Sequence, residues 1–369
     1  MIHLLNANAL HIPLAANTVQ CVITSPPYWG LRDYGTAEWV GGSGDCDHVE
    51  QSIGMSDKNT LGPDGYLPPT NAANVGRKMQ YRHRCPKCGA IRKDAQLGLE
   101  ATPDEFLANM VSVFREVRRV LKDDGVLWLN MGDSYAANRG YQVADNKFKD
   151  VGNNRPSKAP DALPPKNLIG MPWRLAFALQ SDGWILRSDI IWHKPNPMPE
   201  SVTDRPTKAH EYVFLLSKQG RYFYDADAVR EKPKTEGLLP SHLGRGKTIA
   251  PHDLDLTNGK RTDKEHNGKF VHEAGRNRRT VWTVATQPYS GSHFATFPTA
   301  LIEPMILAGS RPGDLVMDPF SGTATVGEVS RKHHRRYVGL ELNPKYIELA
   351  KERTQHIQPT LLDFNSVMA

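Results

Sequence analysis

The sequence predicts an α/β protein with a doubly wound, mostly parallel sheet. Short apolar runs at Val19–Ile23 and Leu315–Met317 are typical of buried strands, and the second leads through a small-residue loop into a helix beginning near Thr325. A further strand, Tyr337–Glu341, precedes an Asn-Pro pair that opens another helix. Strands that alternate with helices in this way form parallel sheets.

The rest of the chain supplies the other elements of this sheet. Residues 1–30 are predicted to form two strands that lead to a proline-rich motif. Thr102 or Asp104 caps an amphipathic helix through Leu121, because apolar residues recur there at three- and four-residue intervals. The remaining predictions are a turn at 122–125, a strand at 126–130, a helix at 171–181, and strands near 184–193 and 211–217.

The proline-rich motif, Thr-Ser-Pro-Pro-Tyr-Trp-Gly at 24–30, follows a strand and carries free acceptors beside an aromatic ring. Two prolines donate no backbone N–H, so nearby carbonyls can accept hydrogen bonds from another molecule. A planar ring with an exocyclic amine fits there: its face stacks on Tyr28, and its amine donates to the Pro26 carbonyl and the Ser25 hydroxyl. The alternative is a simple turn at a strand end.

The second motif, Gly-Asp-Leu-Val-Met-Asp-Pro-Phe-Ser-Gly-Thr-Ala-Thr-Val-Gly at 313–327, places Asp318 at the carboxyl end of a strand. Ligands of open α/β sheets bind at such ends, and Gly322 permits close approach to the backbone. Glu341 follows 23 positions later, the spacing at which an acid meets ribose hydroxyls. The alternative is an ordinary strand-to-helix turn.

A phosphate-free, cationic ligand suits this loop better than a nucleotide triphosphate. The loop lacks the Gly-Lys-Ser/Thr ending that cradles phosphates, and Asp318 would repel a pyrophosphate. The sequence therefore favours S-adenosyl-L-methionine, which carries an amino group and a sulfonium.

Together the two motifs resemble those of site-specific DNA amino-methyltransferases, the N4-cytosine and N6-adenine family. The catalytic motif precedes the cofactor motif, as in the permuted β group of that family and unlike protein-glutamine and many RNA amino-methyltransferases. The resemblance covers nearly the whole chain, so it implies a single catalytic domain over 1–369. It also implies a seven-stranded sheet of the S-adenosylmethionine-dependent methyltransferase type, and double-stranded DNA as the partner, with the target base flipped out.

The resemblance implies roles for named residues of this chain. Catalytic residues are Ser25, Pro26, Pro27 and Tyr28. Cofactor-binding residues are Thr24, Phe297, Asp318, Pro319, Phe320, Ser321, Gly322, Thr323, Glu341 and Asn343. Ser25 resembles the residue of cytosine-N4 enzymes, whereas adenine-N6 enzymes more often carry Asp there. N6-adenine transfer and a non-catalytic DNA-binding protein with a vestigial fold remain as alternatives.

The insertion at 40–98 carries a predicted structural zinc site. Cys46-x-His48 and Cys85-x-x-Cys88 supply four ligands suited to tetrahedral zinc, with His83 as a competing ligand. The alternative is two surface turns with unrelated thiols. Such a metal would staple a segment that is too irregular to build its own core.

Two more polar insertions are predicted, a mobile loop at 136–166 and a DNA-recognition segment at 225–285. Residues 231–280 hold 11 Lys and Arg against 7 Asp and Glu, a net charge of +4 (11 − 7). We expect Arg276, Arg278 and Arg279 to contact phosphates or guanines. The alternative is a disordered surface insertion.

The amino-acid composition and the net positive charge are typical of a soluble protein that binds a polyanion. The 369 residues are 39% hydrophobic and 23% charged, with a net charge of +6 and a pI near 9.0. No apolar run approaches the roughly 18 residues of a membrane span, and no signal peptide is evident, so we expect a cytoplasmic protein without a membrane segment. Members of the permuted group that the chain resembles often form homodimers. The resemblance leaves open whether the host has a cognate restriction endonuclease or the enzyme is solitary or phage-borne.

Overall fold

The computed structural model describes residues 2–30, 36, 38–51, 78–80, 84–93, 96–100, 102–136, 163–164, 166–231, 275–287 and 297–357. Within this part of the chain, no helix is long and apolar enough to cross a membrane. The other residues include His83, most of the predicted mobile loop and most of the predicted DNA-recognition segment. Those predictions therefore lie outside the described residues.

One large sheet organises the molecule. Its strands are β1 (Ile2–Asn6), β2 (Val19–Thr24), β7 (Leu121–Met131), β8 (Ile185–His193), β9 (His210–Ser217), β10 (Val281–Thr283), β11 (Leu315–Asp318) and β12 (Arg336–Glu341). Their spatial order is β1-β12-β11-β2-β7-β9-β8-β10. The first five in this order run parallel, and only β9 is antiparallel to its neighbours.

Two details of the sheet differ from the sequence prediction. Eight strands are present among the described residues, because the three-residue β10 adds to β8 at the edge. The two strands predicted within residues 1–30 exist, but they are separated by β12 and β11. The mostly parallel character of the sheet was predicted correctly.

Helices cover both faces of the sheet, as a doubly wound fold requires. They are α1 (Pro103–Val120), α2 (Met171–Ser181), α3 (Thr299–Gly309), α4 (Thr325–Lys332) and α5 (Pro344–Gln355). Along β7, Leu127 and Leu129 join the core under α1 and α2, while Val126 and Trp128 join the core under α3 and α4. This double burial explains why the central strands are apolar on both faces.

The turn predicted at 122–125 is instead part of β7. Leu121 pairs with Val19 and Val126 with Cys21, so residues 122–125 form an irregularity in the ladder. Two smaller antiparallel sheets stand apart: β3 (Glu38–Val40) pairs with β6 (Ile91–Lys93), and β4 (Val49–Gln51) pairs with β5 (Lys78–Gln80). Both belong to the predicted zinc-binding insertion.

Candidate functional site

A cleft opens where β2, β11 and β12 end. From β11 the chain continues to β12 on one side, whereas from β2 it continues to β7 on the other. The cleft therefore lies at a topological switch point, the position where open α/β sheets bind ligands. The empty space in and around this cleft is about 870 Å³, which includes open solvent.

Both ends of the chain line this cleft. From the amino-terminal motif come Ser25 and Pro27. From the carboxy-terminal half come the predicted residues Phe297, Asp318, Pro319, Phe320, Ser321, Gly322, Thr323 and Glu341. The two motifs thus open onto one cavity, which is the arrangement that the sequence prediction required.

Asp318 is buried between the two motifs. Its Oδ1 accepts hydrogen bonds from Thr24 Oγ1 at 2.7 Å and from the Phe320 N–H at 3.0 Å. Burial raises the pKa of the Asp318 carboxyl to about 7, although both hydrogen bonds oppose that rise. Thr24 therefore acts behind the cleft wall, where it orients the carboxyl.

Glu341 is held by backbone donors on both of its carboxylate oxygens. The Gly322 N–H donates to Oε2 at 2.9 Å, and the Asn343 N–H donates to Oε1 at 2.8 Å. Burial raises the pKa of Glu341 while these N–H groups lower it. The Asn343 side chain accepts from the Lys345 N–H and so caps α5, which places it behind the cleft rather than in its lining.

The small residues of the cofactor loop have definite partners. Ser321 Oγ lies 2.8 Å from the Tyr337 hydroxyl, and a Cβ on Gly339 would come within 2.4 Å of that Oγ. Thr323 and Thr325 accept hydrogen bonds from Arg353, at 3.1 and 2.8 Å. Both threonine hydroxyls keep a proton to donate into the cleft.

The proline-rich motif at 24–30 continues from the end of β2 into the cleft wall. Pro26 is buried, whereas Ser25 and Pro27 are partly exposed. Tyr28 lies just beyond them, and its hydroxyl donates to Glu211 Oε2 at 2.8 Å. Burial, with the Glu211 charge as the next cause, holds the pKa of Tyr28 well above its usual value, so the hydroxyl stays neutral.

Some cleft residues carry no signal in the sequence. Asn8 follows β1, Thr36 precedes the small sheets, and Gln96 and Leu97 follow them. These four residues belong to no recognisable motif, since sheet order and the return of the insertion bring them together. Tyr346, on α5, also lines the cleft, and it ends the Gly339–Tyr346 segment that resembles the family's ribose-binding motif.

The four predicted zinc ligands form one cluster. The candidate donor atoms of Cys46, His48, Cys85 and Cys88 all lie within 4.8 Å of one another. Cys46 Sγ is 3.7 Å from Cys85 Sγ, and Cys88 Sγ is 3.6 Å from His48 Nδ1. With Zn–S bonds of about 2.3 Å, tetrahedral coordination puts two sulfurs about 3.8 Å apart.

Local backbone structure explains how the cluster forms. The Gly89 N–H donates to the Cys85 carbonyl at 2.8 Å, and a φ of +79° at Gly89 turns the chain around the thiols. Gly42 packs against the cluster, since a Cβ there would lie 2.7 Å from Cys88 Sγ. The His48 ring stacks on Trp39 with centroids 4.4 Å apart.

The three arginines predicted to contact DNA lie beside β10. Arg276 and Arg279 pair with Glu231, at 2.8 and 3.1 Å, and the Arg278 guanidinium lies 4.5 Å from the Trp282 ring centroid. They precede β10, which runs parallel to β8, so they lie toward the amino ends of the parallel strands. The cleft is at the carboxyl ends, on the opposite edge of the sheet.

Comparison with known proteins agrees with the motifs and the fold. The sequence profile of the DNA methylase family, which covers N6 and N4 enzymes, matches residues 19–352. The chain belongs to the DNA methylase family. This match confirms the predicted resemblance to site-specific DNA amino-methyltransferases.

Relatives of this DNA methylase are similar over most of their length. It is 41% identical to the type II methyltransferase M.Cfr9I of Citrobacter freundii over 343 residues, which are 93% of this chain and 83% of that protein. It is 40% identical to the type II methyltransferase M.SmaI of Serratia marcescens over 341 residues, which are 92% of this chain and 85% of that protein.

Solved structures confirm the methyltransferase fold of this DNA methylase. PvuII DNA methyltransferase, described as cytosine-N4-specific, matches 99% of the chain and 87% of its own, with a TM-score of 0.53 at 16% identity. A putative DNA modification methylase from Thermus thermophilus, solved with S-adenosyl-L-methionine, matches 98% of the chain and 96% of its own, with a TM-score of 0.51 at 20% identity.

Proposed function

We propose that this DNA methylase transfers a methyl group from S-adenosyl-L-methionine to the exocyclic N4 amine of a flipped cytosine in duplex DNA. The observation that carries the proposal is the shared cleft, which Ser25 and Pro27 line together with Asp318 and Glu341. An amine acceptor site and an acidic ligand site at one switch point fit methyl transfer to an amine.

The donor groups of the cleft fit S-adenosylmethionine. Asp318 and Glu341 provide carboxylates for a cationic amino acid and for ribose hydroxyls, and Phe320 provides an aromatic face. Thr323 and Thr325 provide hydroxyls suited to a ligand carboxylate. Phe297, Pro319, Ser321 and Gly322 shape the cavity, while Thr24 and Asn343 hold its acids in place.

The catalytic residues act by orientation. When bound, S-adenosylmethionine would supply an electrophilic methyl group: the N–CH3 bond would form as the S–CH3 bond breaks, S-adenosylhomocysteine would leave, and the proton of the amine would pass to water. Ser25 Oγ and the Pro26 carbonyl accept hydrogen bonds from that amine and direct its lone pair into the cleft. Pro27 fixes the backbone, and the Tyr28 ring replaces stacking that the base loses when it leaves the helix.

Cytosine is proposed because position 25 is a serine. A neutral hydroxyl accepts a hydrogen bond from the N4 amine without adding a charge, whereas the adenine enzymes that the motif resembles more often use an aspartate. The experiment is transfer of tritium from labelled cofactor to duplex DNA, followed by nucleoside analysis. We expect N4-methylcytosine, and Tyr28→Ala should abolish transfer.

Other outcomes of this assay contradict the proposal in distinct ways. N6-methyladenine would reassign the base. Binding of DNA without transfer would favour a vestigial enzyme, and preferential labelling of transfer or ribosomal RNA would change the substrate class. Sequencing of DNA from an expressing host would also locate the recognition site.

The proposal extends to the metal and to the partners. Cys46, His48, Cys85 and Cys88 would hold a structural Zn²⁺ as a closed set of four ligands. The type II names of the relatives support a companion restriction endonuclease. DNA contacts by Arg276, Arg278 and Arg279, a homodimer, and DNA recognition by 225–285 remain predictions.

A further inference from the structure

The Tyr28 hydroxyl ends in a polar cluster behind the catalytic motif. It donates to Glu211 Oε2 at 2.8 Å, and the Asn130 side-chain amide donates to the same oxygen at 3.2 Å. Lys194 forms an ion pair with the other carboxylate oxygen, Oε1. Glu211 is the second residue of β9, so the cluster joins the loop that carries Tyr28 to that strand.

Close packing leaves the Tyr28 side chain little freedom. A Cβ on Gly132 would lie 2.7 Å from Tyr28 Cε2 and 3.3 Å from the Glu211 carboxyl carbon. A Cβ on Gly98 would lie 3.1 Å from the Tyr28 carbonyl oxygen. The absence of a Cβ at Gly132 and Gly98 thus allows these two residues to pack directly against Tyr28. The Tyr28 hydroxyl points toward the Glu211 carboxylate, which accepts its hydrogen bond.

Fold stability alone does not account for this charged cluster. The side chains of Lys194 and Glu211 are only 18% and 17% exposed, so both lose most of their hydration. An apolar pair of similar volume would stabilise the fold as well or better. The Lys194–Glu211 ion pair contacts the loop that carries Tyr28. Its position fits a role in holding the Tyr28 side chain in one orientation.

We infer that Glu211 is a positioning residue, which fixes the Tyr28 ring as the stacking platform for the target base. Lys194 and Asn130 hold the Glu211 carboxylate in place. The inference rests on the proposed methyl transfer, because it assigns Tyr28 the role of platform. Without the anchor, the ring would lose its fixed orientation while the cofactor cleft stayed intact, since neither Glu211 nor Tyr28 lines it.

The activity test compares Tyr28→Phe, Glu211→Ala, the double variant and Glu211→Gln. Loss of the anchor should lower kcat by about 10- to 100-fold in Tyr28→Phe and Glu211→Ala, because misplacement by about 1 Å has effects of this size. The kcat of the double variant should be no lower than that of the less active single variant, because both substitutions remove the same interaction. Glu211→Gln keeps an acceptor oxygen for Tyr28 but loses the ion pair with Lys194, so its kcat should lie between those of Glu211→Ala and the wild type.

A matched control removes another acid from a half-buried ion pair. Glu200 pairs with Arg205 at 2.6 Å, with side chains 31% and 24% exposed, so Glu200→Gln should leave kcat unchanged. Cofactor affinity should stay within about twofold in all variants. Wild-type kcat in Tyr28→Phe, or losses that multiply in the double variant, would overturn the inference.

A second readout does not depend on activity. In protein labelled with 3-fluorotyrosine, the ¹⁹F resonance that disappears in Tyr28→Phe identifies Tyr28. We expect Glu211→Ala to shift or broaden that resonance and Glu200→Gln to leave it in place. An unchanged resonance would refute the anchor, whereas absence of methyl transfer by the wild type would refute only the proposed function. If Glu211→Ala fails to fold, the kcat of Tyr28→Phe still tests the anchor, and Glu211→Gln, which keeps Tyr28, still gives both kcat and the ¹⁹F resonance.

Discussion

Asp318 combines two properties that rarely occur together, a carboxyl buried in the fold and a position in the wall of an open cleft. Its pKa of about 7, against an ordinary 3.8, means that this carboxyl is only partly ionised at neutral pH when no cofactor is bound. Since the folded state binds this proton more tightly than the unfolded state does, the group destabilises the fold progressively as pH rises from about 4 to 7.

Cofactor binding should therefore release a proton near pH 7. A cationic ligand stabilises the Asp318 carboxylate and lowers its pKa, so affinity should fall as pH drops below 7. Titration calorimetry in buffers of different ionisation enthalpy measures the released proton. Asp318→Asn should remove both effects, and a binding enthalpy that is the same in every buffer would contradict this prediction.

Gly132 is the residue at which one methyl group should disturb the catalytic loop. A Cβ there would lie 2.7 Å from the Tyr28 ring, so Gly132→Ala must displace either the ring or β7. We expect at least a tenfold loss of kcat, with cofactor affinity retained. Gly220→Ala is the control, because nothing lies within 4 Å of its Cβ position. Equal activity of the two variants would argue against a fixed ring.

Residues in local motifs could be predicted, and residues brought in by topology could not. Asp318 and Glu341 each end an apolar run, so a pattern of strand and acid identifies them. Glu211 lies near the start of a strand instead, and its partner Tyr28 is 183 positions away. Nothing in the sequence around either residue signals that pairing.

At the scale of elements, helix α1 has a complete capping box. Thr102 Oγ1 accepts from the Glu105 N–H at 3.2 Å, and Glu105 Oε2 accepts from the Thr102 N–H at 3.3 Å. Thr102→Ala should lower the free energy of unfolding by about 1 kcal/mol, as measured by urea denaturation, without loss of activity. Ser112→Ala, on the exposed side of the same helix, should have a smaller effect. Equal stability of the two variants would contradict a stabilising cap.

Long periodic elements were predicted well, and short ones were not. The predicted helix 171–181 coincides with α2, and the periodicity of α1 gave its bounds within a residue or two. Three-residue strands such as β10 are too short to show an alternation, and in β10 only Trp282 is buried. The separation of β1 from β2 depends on strands more than 300 residues later in the chain, which local patterns cannot reveal.

At the scale of the whole molecule, the insertion that carries the Cys/His cluster also contributes to the cleft. Thr36 lies just before the insertion at 40–98 and Gln96 lies near its end, and both line the cleft. The Gly30 N–H also donates to the Gly98 carbonyl at 2.6 Å, which ties the end of the insertion to the catalytic loop. A folded insertion should therefore stabilise the cleft in the conformation that binds the cofactor.

Removal of the metal should weaken cofactor binding about tenfold, a typical coupling between linked sites. Cys88→Ser and chelated wild type should both show this loss in calorimetry, and elemental analysis should find one zinc per wild-type chain. Asp47→Asn is the control, because it changes an exposed side chain in the same insertion. Unchanged cofactor affinity after loss of zinc would show that the metal cluster and the cofactor cleft are not coupled.

The 2.7 Å hydrogen bond from Thr24 to Asp318 joins residues 294 positions apart, on adjacent strands. At roughly 5 to 20 residues per second on the ribosome, Asp318 is made roughly 15 to 60 seconds after Thr24. Throughout that interval β2, a central strand, has an open edge. Nascent chains of this protein therefore pass through a long aggregation-prone stage, and their yield in a cell should depend on chaperones that cover that edge.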